Sequence, residues 1–303
     1  MTPTVNVEGR ELKLSNLDKV LYPAVGFTKG EVIDYYSRIA PVLLPHVRDR
    51  PLTLLRYPEG VEADHFYEKQ CPSHRPPWVR TVEVPSERSA SKKINYCLAD
   101  DLPTLVWLAN LASLEVHPLL AHAGDVTRPA SVVFDLDPGP PADVVACARV
   151  ALVLREVLDD LGLASCPKTS GKKGMQMHVP LNTPVTYDRT KPFAHAVAQL
   201  LEKQQPKDVV SRMDKAVRKG KVFIDWSQND EHKTTVAVYS LRARERPAVS
   251  TPLTWDEVEE AAATGDASRL DFDAAAVLAR VDDRGDLYAP VAELEQDLPA
   301  SPR

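Results

Sequence analysis

Apolar residues recur along the chain at spacings that predict a mixture of helices and strands. Thr28 and Glu31 form a capping box, and the apolar residues behind them follow helical spacing, which predicts a helix over residues 29–47. Thr254 and Glu257 form a second capping box ahead of a helix that ends near residue 263. The remaining pattern predicts helices over 102–114, 190–204 and 208–219, and a further helix that follows the turn at residues 138–141 (PGPP) and ends near residue 161. It predicts strands over 52–57, 131–137, 175–181 and 221–226, and loops from 58 to 85.

Composition excludes several classes of protein. The chain has 303 residues, of which 44% are apolar and 26% are charged, as in globular α/β proteins and unlike fibrous or disordered chains. Its longest uncharged stretch, residues 102–114, is too short to span a bilayer, and the N-terminus lacks the pattern of a secretion signal. The four cysteines have no CxxC spacing and are predicted to be reduced thiols. We therefore expect a cytoplasmic protein with no membrane partner.

Charge is unevenly distributed along the chain. The net charge is −6, but residues 256–303 hold 13 acidic residues against 4 arginines, which leaves a net charge of +3 on residues 1–255. Residues 203–221 carry seven basic and two acidic side chains. On its own such a run is typical of a solvated helix face, although phosphate binding also uses local basic patches.

Two aspartates on one predicted strand suggest a metal site. Asp135 and Asp137 are two residues apart, so both carboxylates point to the same face of the strand. Asp225 stands in a second apolar strand, where a carboxylate is costly unless it is paired or bound to a cation. Three such acids are typical of two-metal phosphoryl transfer. The alternative is a strand end whose acids cap the following helix.

A glycine-containing loop lies between these strands. Gly171 and Gly174 in TSGKKG permit close approach of the backbone, Ser170 offers a hydroxyl, and Lys172 or Lys173 can oppose phosphate charge. The loop is a candidate phosphate cradle. It lacks the spacing of a Walker motif, and a plain hairpin turn would have the same composition.

Several longer motifs resemble a known family. FDLDPGP, TSGKKGMQMHVPL and KVFIDWSQN occur in an order that resembles the archaeo-eukaryotic primase superfamily. LSNLDKVLYP, FYEKQCPSH and KTTVAVYSLRAR resemble more closely the polymerase domain of bacterial DNA ligase D, which serves non-homologous end joining. The resemblance covers about residues 6–290. It implies an α/β fold: a primase-like catalytic core with mixed β-sheets flanked by helices.

The resemblance also implies a division of the chain and a set of functional positions. We expect DNA-end and 5′-phosphate binding in residues 1–130, the catalytic core in 131–250 and an acidic helical tail in 251–303 that packs on the same domain. The matching positions are Asp135, Asp137 and Asp225 for catalysis and metal binding; His117, Ser170, Gly171, Lys173, Gly174, Gln176, Arg218, Arg242 and Arg244 for the nucleotide; and Asn16, Lys19, Lys29, Phe66 and Tyr67 for DNA.

The activity implied by the resemblance is template-directed addition of nucleoside triphosphates to a primer. It implies two bound cations, Mn²⁺ or Mg²⁺, a preference for ribonucleotides, and primer-template, gapped or 5′-phosphorylated DNA as partners. No KxDG motif of an ATP-dependent ligase occurs in the chain, so a separate ATP-dependent DNA ligase is an expected partner. The resemblance to an end-joining domain implies Ku as a further partner. Such a protein is expected in the cytoplasm, associated with the nucleoid.

Some alternatives stay open at this point. The family motif SGxxGxH has a histidine where this chain has Gln176, and His178 stands two residues on, on the same face of a strand. Gln176 is the positional match, and His178 could instead reach the site. His65, Cys71 and His74 offer three zinc ligands where a structural site needs four. A metal-dependent nuclease and a non-catalytic module that binds DNA ends are the alternative functions.

Overall fold

The computed structural model describes residues 3–86, 89 and 91–299, which form two compact units. Unit one consists of the described residues within Met1–Val126, Thr234–Ser250 and Asp273–Asp286. Unit two consists of the described residues within Thr127–Lys233, Thr251–Phe272 and Leu287–Arg303. The predicted division at residues 130 and 250 stays a prediction. Residues 1–2, 87–88, 90 and 300–303 of its outer segments lie outside the described part. Among the described residues, no helix is long and apolar enough to cross a membrane.

The chain contains strands and helices throughout, as the sequence pattern predicts. The strands are β1 (Thr4–Val7), β2 (Arg10–Lys13), β3 (Val20–Tyr22), β4 (Phe27–Thr28), β5 (Leu52–Arg56), β6 (Phe66–Glu68), β7 (Thr81–Pro85), β8 (Lys93–Cys97), β9 (Ser113–Pro118), β10 (Ser131–Pro138), β11 (Cys166–Thr169), β12 (Met175–Pro180), β13 (Val209–Val210), β14 (Val222–Asp225), β15 (Leu241–Arg242) and β16 (Ala248–Val249). The α-helices are α1 (Lys29–Val47), α2 (Leu102–Asn110), α3 (Val144–Asp160), α4 (Tyr187–Gln204), α5 (Trp255–Thr264), α6 (Ala274–Arg284) and α7 (Ala289–Glu293).

Unit one is built on an antiparallel sheet in the order β6-β5-β8-β7, with β9 also paired to β5. Helix α1 packs against α2 and α6. The capping box predicted for α1 is present: the Thr28 hydroxyl accepts from the backbone N–H of Glu31 (3.3 Å), whose carboxylate accepts from the backbone N–H of Thr28 (2.7 Å). Because these two backbone N–H groups have no partner within the helix and are satisfied by the capping box, the helix begins where the sequence indicates.

Unit two is built on a mixed sheet in the order β11-β12-β10-β14-β13. Only the β13–β14 pair is parallel. Its core contains fully buried side chains from the central strands, among them Phe134, Met177 and Ile224, and from α3, among them Leu154. These residues alternate with the polar positions of β10, so the apolar face of the sheet lies on the core and the acids lie on the opposite face.

Three of the predicted elements are wrong in part. The helix predicted over 102–114 ends at Asn110, because Ala112 takes a left-handed conformation (φ 57°) and Ser113–Pro118 then pairs with β5. Residues 208–219 form no α-helix: Val209–Val210 pairs with β14 in parallel, and only a short 3₁₀ turn follows. The region predicted as loops over 58–85 contains β6 and β7. Strand pairing with distant partners decides all three segments.

The prediction of reduced cysteines is wrong for two of the four. Cys71 and Cys97 form a disulfide with a Cα–Cα distance of 5.0 Å, while Cys147 and Cys166 are free thiols. The backbone N–H of Cys71 donates to the carbonyl oxygen of Asn95 (2.7 Å), which holds the segment beside β8 and brings the two sulfurs together. Because its sulfur is bonded to Cys97, Cys71 cannot serve as a thiolate ligand for zinc with His65 and His74.

Candidate active site

Four side chains lie in one row across the sheet of unit two. Lys168 on β11 pairs with Gln176 on β12, Gln176 pairs with Asp135 on β10, and Asp135 pairs with Asp225 on β14. Residues directly opposite one another on adjacent strands share a face of the sheet. This charged row (Lys168, Gln176, Asp135 and Asp225) therefore places a lysine, an amide and two carboxylates side by side. Asp137, two residues further along β10, lies on the same face.

Burial and repulsion both oppose ionisation of the strand acids. The pKa of Asp135 is raised to about 7, first by burial and then by the charge of Asp137, with Asp225 adding a smaller repulsion. The pKa of Asp137 is also raised, by loss of surrounding water and by the charge of Asp225. A divalent cation with a preference for carboxylate oxygen would relieve this repulsion, so the donor set fits Mg²⁺ or Mn²⁺.

Asp225 ends β14 and caps the turn that follows it. Its Oδ1 accepts from the backbone N–H (2.9 Å) and the hydroxyl (2.6 Å) of Ser227, and its Oδ2 accepts from Gln228 Nε2 (2.9 Å). Each carboxylate oxygen has two lone pairs, so these contacts leave capacity for a cation. Within the described residues, no group of three or more His, Cys, Asp or Glu side chains is already arranged to hold a metal ion. The three acids are thus a donor set rather than a closed cage.

The alternative that the strand acids cap the following helix does not hold. Helix α3 begins after Asp143, whose Oδ1 accepts from the backbone N–H groups of Val145 (2.9 Å) and Ala146 (3.3 Å). Asp135 and Asp137 lie on the sheet and not at this helix end.

Asn229 fixes the spacing of the two acid-bearing strands. This fully buried side chain donates from Nδ2 to the Val133 carbonyl oxygen (2.7 Å) and accepts at Oδ1 from the Val133 N–H (2.9 Å). It therefore ties the segment after Asp225 to β10, two residues before Asp135. Sequence reasoning missed this role, because a single asparagine in a loop gives no signal of its partner.

The loop between β11 and β12 is a tight turn held by Ser170. Its hydroxyl accepts from the backbone N–H groups of Lys172 (3.3 Å) and Gly174 (3.2 Å), and Gly171 takes a φ of +69°. A Cβ on Gly174 would stand 2.0 Å from the carbonyl oxygen of Leu136. Glycine is therefore required where the loop passes against β10, between the positions of the two strand acids.

Two predicted nucleotide contacts lie within electrostatic reach of Asp137. Lys173 is exposed in the same loop, and the Arg218 guanidinium lies 3.5 Å from the centroid of the Phe223 ring. Both positive charges oppose the rise in the pKa of Asp137. The structure thus places Lys173 and Arg218 near Asp137.

The sheet register distinguishes Gln176 from His178. Gln176 lies opposite Asp135 and donates from Nε2 to Asp135 Oδ1 (3.1 Å). His178 lies opposite Val133, with its Nδ1 3.3 Å from the Ser131 hydroxyl. Gln176 is therefore the residue that contacts an acid, and His178 lies one pleat further from it.

A buried glutamate organises the predicted nucleotide contacts of unit one. Glu115 on β9 is 0% exposed, and its Oε2 lies 2.9 Å from His117 Nε2 and 3.4 Å from Arg242 Nε. Its Oε1 accepts from the backbone N–H of Ala243 (3.0 Å), which precedes Arg244. The glutamate was not singled out from the sequence, because Glu115-Val-His-Pro resembles an ordinary strand or helix end.

The predicted 5′-phosphate contacts lie close together in unit one. Lys29 is 5% exposed and donates from Nζ to the backbone carbonyl oxygen (2.6 Å) and the hydroxyl (3.2 Å) of Ser15. Its pKa is lowered to about 8, by burial and then by the charges of Lys19 and Arg56. Lys19 forms an ion pair with Glu59 (2.7 Å), and Asn16 takes a left-handed conformation (φ 53°) beside it.

Phe66 and Tyr67 are large apolar side chains that the fold leaves open to water. They lie on β6 and are 58% and 57% exposed. Tyr67 is held at its hydroxyl, 3.3 Å from the Thr234 hydroxyl. Exposed aromatic faces of this kind stack on unpaired bases without reading their sequence.

A mixed sheet that carries three acids on one face beside a serine-glycine loop is the arrangement expected of a primase-type catalytic core. The comparison with protein families is more specific: the family described as "LigD, primase-polymerase domain" matches residues 28–288, and the chain belongs to this family.

Individual relatives agree with this membership. The chain is 42% identical over 290 residues to the multifunctional non-homologous end joining protein LigD of Mycolicibacterium smegmatis, covering 95% of this chain and 36% of the relative. It is 41% identical over 302 residues to LigD of Mycobacterium tuberculosis, covering 97% of this chain and 38% of the relative. The chain therefore spans just over a third of the length of these relatives.

A solved structure shares the fold. The polymerase domain from Mycobacterium tuberculosis ligase D, in complex with DNA, superposes with a TM-score of 0.86 at 39% sequence identity. The match covers 94% of this chain and 99% of that chain. The prediction of a primase-like α/β fold with mixed sheets and flanking helices is confirmed.

Proposed function

We propose that this protein is a metal-dependent, template-directed primase-polymerase that adds nucleoside triphosphates, with a preference for ribonucleotides, at DNA ends or gaps during end joining. The observation that carries the proposal is the convergence of Asp135, Asp137 and Asp225 on one sheet face, with the pKa of Asp135 raised to about 7. Side chains whose pKa is strongly shifted from its usual value are typical of functional sites.

The three acids would hold the cations of this reaction. Two Mn²⁺ or Mg²⁺ ions, when bound, supply positive charge that makes the primer 3′-hydroxyl acidic and neutralises the departing pyrophosphate. Asp135 and Asp137 would be the donors that hold the ions, and Asp225 would supply an additional donor. Gln176 and the contacts of Asp225 with Ser227 and Gln228 orient these carboxylates before substrate arrives.

Basic and glycine residues near the acids are suited to the triphosphate. Lys173 and Arg218 carry positive charge beside Asp137, and the Ser170 turn with Gly171 and Gly174 presents a hydroxyl and backbone N–H groups. His117, Arg242 and Arg244 are further proposed contacts of the nucleotide. Glu115 holds His117 and Arg242 in place for this role.

The proposed partners follow from the relatives and from the surface. The relatives are named for non-homologous end joining, and the solved structure is a complex with DNA. We infer that Asn16, Lys19 and Lys29 bind a 5′-phosphate, that Phe66 and Tyr67 stack on DNA bases, and that Ku and an ATP-dependent DNA ligase act at the same ends. The proposed end joining would take place in the cytoplasm, at the nucleoid.

A labelled primer-template, incubated with Mn²⁺ and with or without nucleoside triphosphates, tests the activity. The proposal predicts lengthening of the primer that depends on triphosphates and follows the template. Shortening of the primer would favour a nuclease, and an unchanged primer that is nonetheless bound would favour a module that only binds DNA ends. Repeating the assay with ribo- and deoxyribonucleotides, and with Mg²⁺, tests the preference for sugar and metal.

Gln176 and His178 can be separated by mutation. Gln176→Ala removes the hydrogen bond to Asp135 and is expected to lower kcat/KM for the nucleotide by about tenfold or more, as loss of an outer-shell partner does. His178→Ala is expected to change kcat/KM less, because His178 lies opposite Val133. Steady-state primer extension on folded protein measures both. A larger loss in the His178 variant would show that the assignment of Gln176 is wrong.

The buried Lys29 predicts a pH dependence of 5′-phosphate recognition. A lysine binds phosphate in its protonated form, and the pKa of Lys29 is lowered to about 8 in the free protein. Raising the pH through 8 therefore removes the proton and is expected to weaken the preference for a phosphorylated over a hydroxyl-ended gap. Competition binding of the two gaps between pH 7 and 9 measures this.

The matched variants are Lys29→Arg, Lys29→Ala and Lys19→Ala. Arginine stays charged, so Lys29→Arg should flatten the pH profile. Lys19→Ala with Lys29→Ala should abolish the preference and reduce the slope of log affinity against log salt by up to about 0.9 per lost phosphate contact. If wild-type protein binds both gaps equally at pH 7, Lys19 and Lys29 do not recognise the 5′-phosphate.

A further inference from the structure

The charged row begins with a lysine that the proposed chemistry does not use. Lys168 is 1% exposed, although a cationic side chain is expensive to bury unless polar partners surround it. Its Nζ donates to Oε1 of Gln176 at 2.7 Å, and Nε2 of the same amide donates to Oδ1 of Asp135 at 3.1 Å. The fold therefore connects a buried cation to a catalytic acid through one amide.

This connection fixes which way the amide faces. A glutamine side chain has an acceptor at one end and donors at the other, and a 180° turn exchanges them. The ammonium group of Lys168 has only donors, so it requires the amide oxygen of Gln176 on its side. The amide NH₂ is then directed at Asp135, where a carboxylate oxygen accepts.

The orientation decides which oxygen of Asp135 is left for a cation. The hydrogen bond from Gln176 occupies Oδ1, and within the described part of the chain no protein donor contacts Oδ2. With the amide reversed, its oxygen would face the carboxylate, and two acceptors would repel one another. The carboxylate would then turn, and the donor set would lose its alignment with Asp137 and Asp225.

We propose that Lys168 is a positioning residue for the metal site, acting through the amide of Gln176 to hold the Asp135 carboxylate in the orientation that binds the cation. The inference rests on the proposed function of the three acids. It gives Lys168, which directly precedes the loop TSGKKG, a role that is separate from phosphate binding by that loop. Residues that orient metal ligands in this way typically contribute about 10- to 100-fold to metal affinity or activity.

Direct measurement of Mn²⁺ binding, by the loss of the free-ion electron paramagnetic resonance signal, tests the proposal without relying on turnover. Lys168→Met keeps the length of the side chain and removes its donors. We expect it to weaken Mn²⁺ binding by about tenfold or more. The matched control is Lys203→Met, which removes one positive charge from an exposed position on α4 and should bind Mn²⁺ as the wild type does.

A double-mutant cycle shows whether Lys168 acts through Gln176. Gln176→Met should weaken Mn²⁺ binding by a similar factor, and the variant with both changes should be no weaker than Gln176→Met alone. The proposal would be overturned if the double variant lost Mn²⁺ affinity by the product of the two single losses. It would also be overturned if Lys168→Met bound Mn²⁺ with wild-type affinity. A purely structural lysine would lower the Tm and leave the Mn²⁺ affinity of the folded protein unchanged.

The double variant also covers the case in which Lys168→Met does not fold. Replacing both polar partners with apolar side chains of similar shape leaves no unpaired group and is close to neutral for stability. The comparison of the double variant with Gln176→Met then decides alone: equal Mn²⁺ affinities support the proposal and a further loss contradicts it. Failure of the wild type to bind Mn²⁺, or unchanged binding in Asp137→Ala, would instead contradict the proposed function.

Discussion

Asp137→Ala is expected to abolish primer extension and to leave DNA binding intact. The variant loses a donor for both proposed cations, which together stabilise the transition state by several kcal/mol, so kcat should fall by about a thousandfold or more. DNA binding should persist, because the proposed contacts of the DNA are the lysines and aromatic residues of unit one. Single-turnover extension in Mn²⁺ measures the first effect, and fluorescence anisotropy with gapped DNA measures the second.

The same variant is expected to be at least as stable as wild type without metal. Asp137 has a raised pKa in the folded state, so the folded protein holds this proton more tightly than the unfolded chain does. Protonated Asp137 therefore adds to the free energy of unfolding at acidic pH. This contribution is lost as the pH rises through the pKa that Asp137 has in the folded protein. At pH 7 in EDTA, Asp137→Ala should have an equal or higher Tm, and Mn²⁺ should raise the Tm of the wild type more than that of the variant.

Asp160→Ala is the matched control for Asp137→Ala. Asp160 is an exposed acid at the end of α3, so this variant has the same change in charge and should extend primers as the wild type does. Near-normal extension by Asp137→Ala in Mn²⁺ would show that the active site lies elsewhere.

Gly174→Ala is expected to damage both the fold and the activity. The added Cβ would stand 2.0 Å from the Leu136 carbonyl oxygen, which belongs to the backbone between Asp135 and Asp137 and cannot rotate away. Overpacking of this kind typically costs about 1–3 kcal/mol. A shift of β10 by about 1 Å would also misplace the carboxylates and cost about a hundredfold in rate. Chemical denaturation and primer extension measure the two effects.

Gly124→Ala is the control for this prediction. A Cβ at Gly124 would meet no atom within 4 Å, so stability and activity should be unchanged. If Gly174→Ala retained wild-type rate and stability, the close approach of the loop to β10 could not be a requirement of the site.

Local signals predicted much of the fold. The capping boxes at Thr28 and Thr254 satisfy backbone donors within one turn, so α1 and α5 begin where the sequence indicates. The predicted helix over 102–114 wrongly included the first two residues of strand β9, because apolar residues there suit either structure and the partner strand β5 lies more than 50 residues away. The Cys71–Cys97 disulfide was missed for the same reason, since it depends on the segment that follows β6 lying beside β8.

The candidate site shows the same division between local and distant information. The two-residue period of a strand correctly places Asp135 and Asp137 on one face. It does not reveal that Asp225 on β14 lies opposite Asp135, or that Gln176 and not His178 lies opposite Asp135 on β12. Both facts depend on the register between strands. Lys168 gave no signal at all, since a lysine before a serine-glycine loop is ordinary until its burial is known.

The route of the chain through the two units has a consequence for synthesis on the ribosome. Helix α6 completes unit one by packing on α1, and Asp286 accepts there from Tyr239 (2.7 Å). Near the C-terminal end, Gln296 donates to the carbonyl oxygens of Ala164 (3.1 Å) and Pro180 (2.7 Å) in unit two. Neither unit has all its parts until these late segments have emerged from the exit tunnel. Nascent chains stalled before residue 274 should therefore remain sensitive to protease in both units, and a truncation at that point should harm both together.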